Sequence, residues 1–454
     1  MIDTPTRMAP GGPHLKLAPA APPHGARLVH AKGWGAFGSF TVTQDLTRFT
    51  RAKLFARIGK RTDMLMRFSA GEADAQPGAA GAARDVLGFS AKFYTEEGNW
   101  DLVGSNTPVF FVRDPLKFPE FLRTQKPDPA TGQRPAAAMW DFFSRNPESL
   151  HQLTILFGDR GLPASPRFMN GYGGHTYSFT NEDGERFWVK FHCKTLQGPR
   201  LPANGDAAGS RGYQADLFAA IARGEGPKWR FCVQVMPEEA ARTTRYDPFD
   251  LTKIWPQGDY PLHELGLIAL DRNAEDEFAD VEQAAFSPSN VVPGIGFSPD
   301  RMLQARIFSY ADAHRARLGA QYAALPVNAP RVTLHDGRRD RGAGPTRAPD
   351  RPGAPPWAPA GAPLRAPAPV GPGAPSQGRL GAPYGDDDYT QPGQLFRLMG
   401  EAERQRLFRA IAAAMRGVPA EIAARQIAHF RMADPAYGEG VERARAADMA
   451  PAGA

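Results

Sequence analysis

Arg306-Ile307-Phe308-Ser309-Tyr310-Ala311-Asp312-Ala313-His314 places an arginine four residues before a tyrosine. In a helix the two side chains share one face, a single turn apart. A free phenol ionises near pH 10, so tyrosine alone is a poor metal ligand at neutral pH. A permanently charged guanidinium beside it favours the phenolate, and a phenolate is an electron-rich ligand for ferric iron. Taken alone, the same spacing also fits an ordinary amphipathic helix with a buried tyrosine and surface arginines. Other segments of the chain decide between the two readings.

Arg27-Leu28-Val29-His30-Ala31-Lys32-Gly33-Trp34-Gly35-Ala36-Phe37-Gly38 sets a histidine between apolar residues and a run of small ones. Gly98-Asn99-Trp100-Asp101-Leu102-Val103-Gly104-Ser105-Asn106-Thr107-Pro108-Val109-Phe110-Phe111 leads from a polar turn into an apolar strand ending in aromatics. With the tyrosine segment, these resemble the distal and proximal haem motifs of the monofunctional haem catalases of the small-subunit type. Phe249-Asp250-Leu251-Thr252-Lys253 and Asn170-Gly171-Tyr172-Gly173-Gly174-His175-Thr176 also resemble the family. The resemblance runs over about residues 27 to 330, then resumes at Asp386 and continues to about Tyr437. It implies an α+β catalase fold: an antiparallel eight-stranded β-barrel with helical insertions, a wrapping segment and C-terminal helices.

Composition is consistent with a large folded chain. At 454 residues it can bury an extensive core, and its 28 phenylalanines suit a flat apolar cofactor. The formal charge of +6 raises nucleic acid as a partner. Many of the arginines, however, fall between Arg338 and Arg365 in a Pro- and Gly-rich stretch, so no nucleic-acid partner is expected. The two cysteines, Cys193 and Cys232, are far apart and lie in strand-like runs, which points to buried packing in a reducing compartment. Residues 1–26 lack a continuous apolar core like that of a leader, and no run is long enough to cross a membrane. The expectation is a cytoplasmic protein with no membrane partner.

The pattern divides the chain into a flexible N-terminal arm over 1–26, rich in Pro and Gly, and a barrel domain over 27–272. Phe187, Val189, Phe191 and Cys193 alternate with Trp188, Lys190, His192 and Lys194, which is the period of a strand. Trp229, Phe231, Val233 and Val235 alternate in the same way. Residues 137–157 and 213–223 read as helical insertions. The wrapping segment, with the tyrosine helix and a Pro/Gly/Arg-rich linker at 336–385, covers 273–385. Helical spacing returns over 386–440, where Gly417 and Pro419 interrupt it, and 441–454 reads as a tail.

The resemblance assigns roles residue by residue. His30 is the distal acid–base, held by a hydrogen bond from Ser69. Ser105 and Asn106 are the pair that orients the peroxide. The family usually carries two asparagines here, so Ser105 is a departure, its hydroxyl being shorter than a carboxamide. Tyr310 is the axial ligand supported by Arg306. Phe110, Phe118, His175 and Phe286 line haem b, and Arg27, Arg67 and Arg317 hold its propionates by bidentate geometry. Asp85 lines the peroxide channel, where Val86-Leu87 replaces the family's Pro-Arg and the loop from Gly71 to Ala83 is longer than usual. His151, Arg160 and Lys194 match an outer-face NADPH site, although Gln257 stands where NADPH-binding members often have histidine. The implied substrate is hydrogen peroxide, converted to water and dioxygen by a homotetramer. Two alternatives remain open from these residues: a haem peroxidase using organic donors, and a degenerate haem-binding paralogue with weak catalase activity.

Overall fold

The computed structural model describes residues 27, 29–70, 84–126, 128, 135–203, 209–332 and 387–449. The arm expected at 1–26, the altered loop at 71–83 and the linker at 336–385 lie outside these residues. The strands are β1 (Gly33–Val42), β2 (Arg61–Ser69), β3 (Gly88–Thr95), β4 (Gly98–Ser105), β5 (Gly171–Tyr172), β6 (Tyr177–Thr180), β7 (Arg186–Thr195), β8 (Lys228–Pro237), β9 (Leu262–Asn273) and β10 (Ile295–Phe297). Among the described residues eight of them close an antiparallel barrel in the order β1, β2, β3, β4, β5, β7, β8, β9, with β9 returning to β1. The β4–β5 seam of this barrel is the single pair Ser105 and Tyr172. The short β5 and β6 share one edge of β7, pairing with Cys193 and His192 and with Val189 to Arg186 respectively.

The barrel interior is aromatic. Phe93 stacks on Trp100 at 4.8 Å, Trp100 meets Phe191 at 5.1 Å, and Phe231 meets Phe40 at 5.6 Å. These rings fill the barrel as a solid core. The alternation read over 187–194 and 229–236 corresponds to β7 and β8, whose residues are buried on both faces because helices and loops cover the outside.

The helices are α1 (Phe118–Gln125), α2 (Ala136–Arg145), α3 (Leu150–Phe157), α4 (Gly209–Ala222), α5 (Arg301–Leu318), α6 (Thr390–Leu398), α7 (Glu401–Ala414), α8 (Ala420–Ala433) and α9 (Pro435–Met449). Helices α2, α3 and α6 to α9 build a second apolar core around Trp140, Phe396, Phe430 and Tyr437. The tail expected from 441 is a correction. Helix α9 continues to Met449, and Val441 is fully buried. Gly438 and Gly440 are poor helix formers, which hides this helix in the sequence. They are nevertheless required by packing, since a Cβ at Gly440 would lie 2.2 Å from the Phe408 ring and one at Gly438 2.1 Å from Arg431.

A buried charge cluster docks these helices on the barrel. Asp388 receives Lys253 at 3.0 Å and also pairs with Arg113, which approaches Asp250 at 3.3 Å and Glu148 at 3.5 Å. A second buried pair fixes the wrapping segment. Lys92 and Asp101 are cross-strand partners on β3 and β4, fully buried, with Nζ 2.8 Å from Oδ1. Nζ also donates to the Ala285 carbonyl at 3.0 Å. Asp101 Oδ2 accepts from Ser287 N at 2.9 Å and Asn290 Nδ2 at 2.8 Å. Residues 285–290 are thus tied to the outer barrel face, and Phe286 is set with its ring centroid 5.2 Å from Nζ.

Removing one partner of such a pair leaves an uncompensated buried charge. Lys92→Met is expected to destabilise the fold by roughly 3–5 kcal/mol, read from denaturant unfolding. Lys92→Met combined with Asp101→Leu should be less destabilised than the single variant. A double variant worse than the single one contradicts this account.

Candidate active site

The site gathers at one mouth of the barrel. Gly33, Ser69, Gly88, Ser105 and Tyr172 are successive cross-strand neighbours on β1, β2, β3, β4 and β5. His30 lies just before β1 with φ of +54°, the one non-glycine in left-handed backbone among the described residues. Such a conformation is costly and persists where surrounding contacts enforce it. Arg67 supplies those contacts, donating to the His30 and Ala31 carbonyls at 3.3 Å. Gly33 lets it pass, since a Cβ there would lie 2.2 Å from the guanidinium.

Gly88 brings the distal groups together. A Cβ on it would lie 2.2 Å from Ser69 Oγ and 3.4 Å from His30 Nδ1. The two side chains therefore adjoin across this glycine. The hydrogen bond expected between them is not formed, and Nδ1 is buried without a partner. Burial is the main cause holding the His30 pKa below its usual value. Asp85 opposes that shift, Arg67 and Arg306 add to it, and the Ser69 backbone opposes it. The imidazole is thus kept neutral, in the form that accepts a proton.

Ser105 Oγ turns onto Thr107, donating to its carbonyl at 3.1 Å and lying 3.3 Å from its hydroxyl. Asn106 is pinned by Leu87, whose N–H donates to Oδ1 at 3.0 Å while the Asn106 N–H donates to the Leu87 carbonyl at 2.9 Å. Its Nδ2 is buried with no partner.

Helix α5 carries the other half of the site. Arg306 donates to the Tyr310 hydroxyl at 2.8 Å and to the Val103 carbonyl of β4 at 3.1 Å. Its pKa is raised. Burial, the largest influence, lowers it, but Tyr310 and Tyr177 more than offset that. The N-terminus of α5 is capped by Asp300, which accepts from Leu303 N at 3.1 Å. The other carboxylate oxygen of Asp300 is 2.6 Å from His175 Nδ1. Both groups are buried, so His175 anchors the helix start. Asp300 was not singled out from the sequence, although an aspartate opening a helix is a readable cap. His314 Nε2 bonds the Phe286 carbonyl at 2.8 Å and joins α5 to the wrapping segment.

The arginines converge. Arg27 donates to Glu282 Oε2 at 2.5 Å and to the Glu282 and Ala284 carbonyls at 2.8 and 3.0 Å. Arg317 reaches the same two carbonyls at 2.5 and 3.0 Å, and Arg67 approaches Glu282 Oε1 at 3.5 Å. Burial depresses the Arg67 pKa to about 9 and the Arg317 pKa to about 10, and in both Arg27 is the next cause. Glu282 was invisible as a site residue because its partners lie far away in sequence.

Comparison with known proteins agrees with this geometry. A family model described as catalase matches residues 25–357, and one described as catalase-related immune-responsive matches 383–445. The chain belongs to the catalase family. It is 51% identical to a catalase of the Onchocerca volvulus endobacterium over 434 residues, 92% of this chain and 88% of that one. It is 49% identical to catalase A of Pseudomonas putida over 432 residues, 93% of this chain and 90% of that one. A bacterial catalase structure superposes with a TM-score of 0.80 at 38% identity, covering 99% of this chain and 94% of that one. Catalase A from Saccharomyces cerevisiae superposes at 0.79 and 39% identity, covering 94% and 90%. The chain is accordingly a catalase that disproportionates hydrogen peroxide to water and dioxygen with haem iron, and nothing favours the organic-donor or degenerate readings. No described helix is long and apolar enough to cross a membrane.

The residues present fit haem. Three guanidiniums, those of Arg27, Arg67 and Arg317, face one carboxylate, Glu282, leaving an excess of two positive charges. Two propionates would neutralise it. Arg67 Nε is buried without a partner. Phe110 and Phe118, the latter opening α1, have ring centroids 6.1 Å apart and pack against the helical core, and Phe286 is buried beside the half-buried Tyr310. Of the remaining sequence candidates, His151 is fully buried with Nδ1 3.2 Å from the Thr252 carbonyl, Arg160 is exposed, and Lys194 lies 4.9 Å over the Tyr172 ring.

Several buried histidines are neutral. Burial drives the pKa of His151 and His192 down to about 3 and that of His314 to about 4. In the unfolded chain histidine titrates near 6.5. Between these values the unfolded state binds more protons, so stability falls as pH drops below about 6.5. The melting temperature is expected to decline steadily from pH 6.5 to pH 4, with a shallower slope in His192→Asn. A flat profile over that window contradicts the assignment.

Proposed function

We propose that catalysis in this catalase is divided between a neutral distal imidazole and a proximal phenolate. The observation that carries this reading is the placement of His30 at the barrel mouth, within electrostatic reach of Arg306, whose guanidinium donates to Tyr310. Haem b, when bound, would supply the redox chemistry of its iron, and Tyr310 would hold that iron. Arg306 favours the ionised phenol and holds its oxygen in one direction. Arg27, Arg67 and Arg317 hold the propionates, and Phe110, Phe118, His175 and Phe286 form the surrounding wall.

His30 accepts a proton from one peroxide oxygen and returns it to the other, which requires the neutral ring that burial favours. The strained backbone sets the direction of that ring beside Ser69, and Asp85, the channel residue, raises its basicity against the effect of burial. Ser105 is a weakened orienting group because its hydroxyl is engaged by Thr107. Asn106 is fixed on Leu87 through Oδ1, which leaves its unpartnered Nδ2, or a bridging water, as the remaining donor. Loss of one such polar contact costs on the order of 1–3 kcal/mol, or about ten- to hundredfold in rate where it acts on the transition state.

A cytoplasmic homotetramer is the assembly we favour, supported by retention of the barrel and wrapping segment and by the exposed Phe218 and Phe278. An outer-face NADPH site would rest on Arg160 and Lys194, since the His151 ring is buried.

Oxygen evolution by the purified, haem-loaded protein tests the division of roles. His30→Ala should abolish it while haem stays bound. Ser105→Asn should raise the rate of the first reaction with peroxide about tenfold, equivalent to roughly 1.4 kcal/mol. Activity in His30→Ala within a few-fold of the parent would show that another group is the base. A Ser105→Asn rate at or below the parent's would show that Ser105 is no defect in this pocket.

A further inference from the structure

Residues Phe278–Glu282 form a single π-turn, closed by Gln283 N donating to the Phe278 carbonyl at 2.8 Å. Such turns are rare and occur mostly at functional positions. The carbonyls at its end are left for other donors. Arg27 Nη2 takes Val281, Glu282 and Ala284 at 3.3, 2.8 and 3.0 Å, and Arg317 takes the latter two at 2.5 and 3.0 Å. The turn therefore anchors two arginines by its backbone, independently of any acidic side chain. The Glu282 carboxylate adds a different contribution. Its two oxygens divide between Arg27 Nη1 at 2.5 Å and Arg67 Nη2 at 3.5 Å. Its side chain is 38% exposed, against 12% for Arg27 and 6% for Arg67. It is the negative group beside three crowded guanidiniums and is more open to water than Arg27 or Arg67.

We infer that Glu282 is a positioning residue for the cofactor's anionic edge, acting through Arg27 and Arg67 by setting the net charge of the arginine cradle. The inference rests on the haem reading. Backbone carbonyls hold the geometry, so the carboxylate's own role is electrostatic. It relieves repulsion among the arginines in the apoprotein, and in the loaded protein it limits the positive field that Arg27, Arg67 and Arg317 impose on the iron. Like charges held this close in a buried site interact strongly.

Glu282→Gln separates charge from shape, because the amide keeps the length and an acceptor oxygen. Three consequences are expected. The apoprotein melts at a lower temperature than the parent. The rise in melting temperature on adding haemin is larger than in the parent, because the two propionates now relieve a greater charge excess. The ferric/ferrous midpoint potential, read by spectroelectrochemical titration, moves positive, since loss of a negative charge disfavours the more positive ferric state. Glu282→Asp keeps the charge and should return the potential and the haemin-induced stabilisation toward the parent's. A Glu282→Gln potential and haemin-induced stabilisation equal to the parent's overturn the inference, as does a Glu282→Asp variant that tracks Glu282→Gln. If Glu282→Gln fails to accumulate as folded protein while Glu282→Asp folds, the need for charge stands. If both fail alike, the residue is structural only. A parent chain that takes up no haemin in the same titration would sink the haem reading itself, a result distinct from any of these.

Discussion

The 2.8 Å hydrogen bond from Arg306 to Tyr310 is the contact on which the rest of the site depends. A permanent cation beside a phenol favours the phenolate, the form that binds ferric iron. The cation must itself be buried, which is costly unless its donors are used. Arg306 meets this requirement with Tyr310 on one side and the Val103 carbonyl of β4 on the other. That bond to β4 ties the helix to the barrel, so ligand direction and barrel geometry are coupled. Asp300 and His175 fix the start of the same helix, and His314 fixes its later part to the Phe286 carbonyl.

Charges are also buried where other segments dock on the barrel. Lys92 and Asp101 pin the strap that carries Phe286, and the Arg113 cluster docks the C-terminal helices. Buried pairs of this kind add little stability relative to apolar packing, but they tolerate few alternative arrangements. Here Lys92 and Asp101 hold residues 285–290 in place against the outer barrel face. Rigidity serves the distal side too. Arg67 holds the backbone around a strained His30, and Gly88 leaves room for Ser69 beside the imidazole.

Much of the scaffold was legible because local period and tertiary burial agree there. The alternation over Phe187 to Lys194 and over Trp229 to Val235 marks strands that the barrel then uses, and the Arg306/Tyr310 spacing marks a helix face. Legibility failed where a distant partner overrides local preference. Gly438 and Gly440 argue against a helix, yet the Phe408 ring and the Arg431 side chain leave room for nothing larger. Glu282 reads as one acid among several in an irregular stretch, and only folding brings Arg27 and Arg67 to it. Ser105 was recognisable as a departure, but the turn of its hydroxyl onto Thr107 depends on the loop that follows β4. His30, Ser69 and Ser105 are brought to one barrel mouth and Arg306, Tyr310 and Arg317 to one helix, whereas of the NADPH candidates Arg160 reaches His151 through its charge and Lys194 lies over Tyr172.

The central claim is that Tyr310 is the iron ligand and that Arg306 makes it one. It is tested most directly by the absorption and magnetic resonance spectra of haem-loaded Tyr310→Phe beside the parent. The account predicts a high-spin ferric spectrum in the parent, and in the variant either loss of stable haem or a changed spectrum. A variant that binds haem with the parent's spectrum would contradict it.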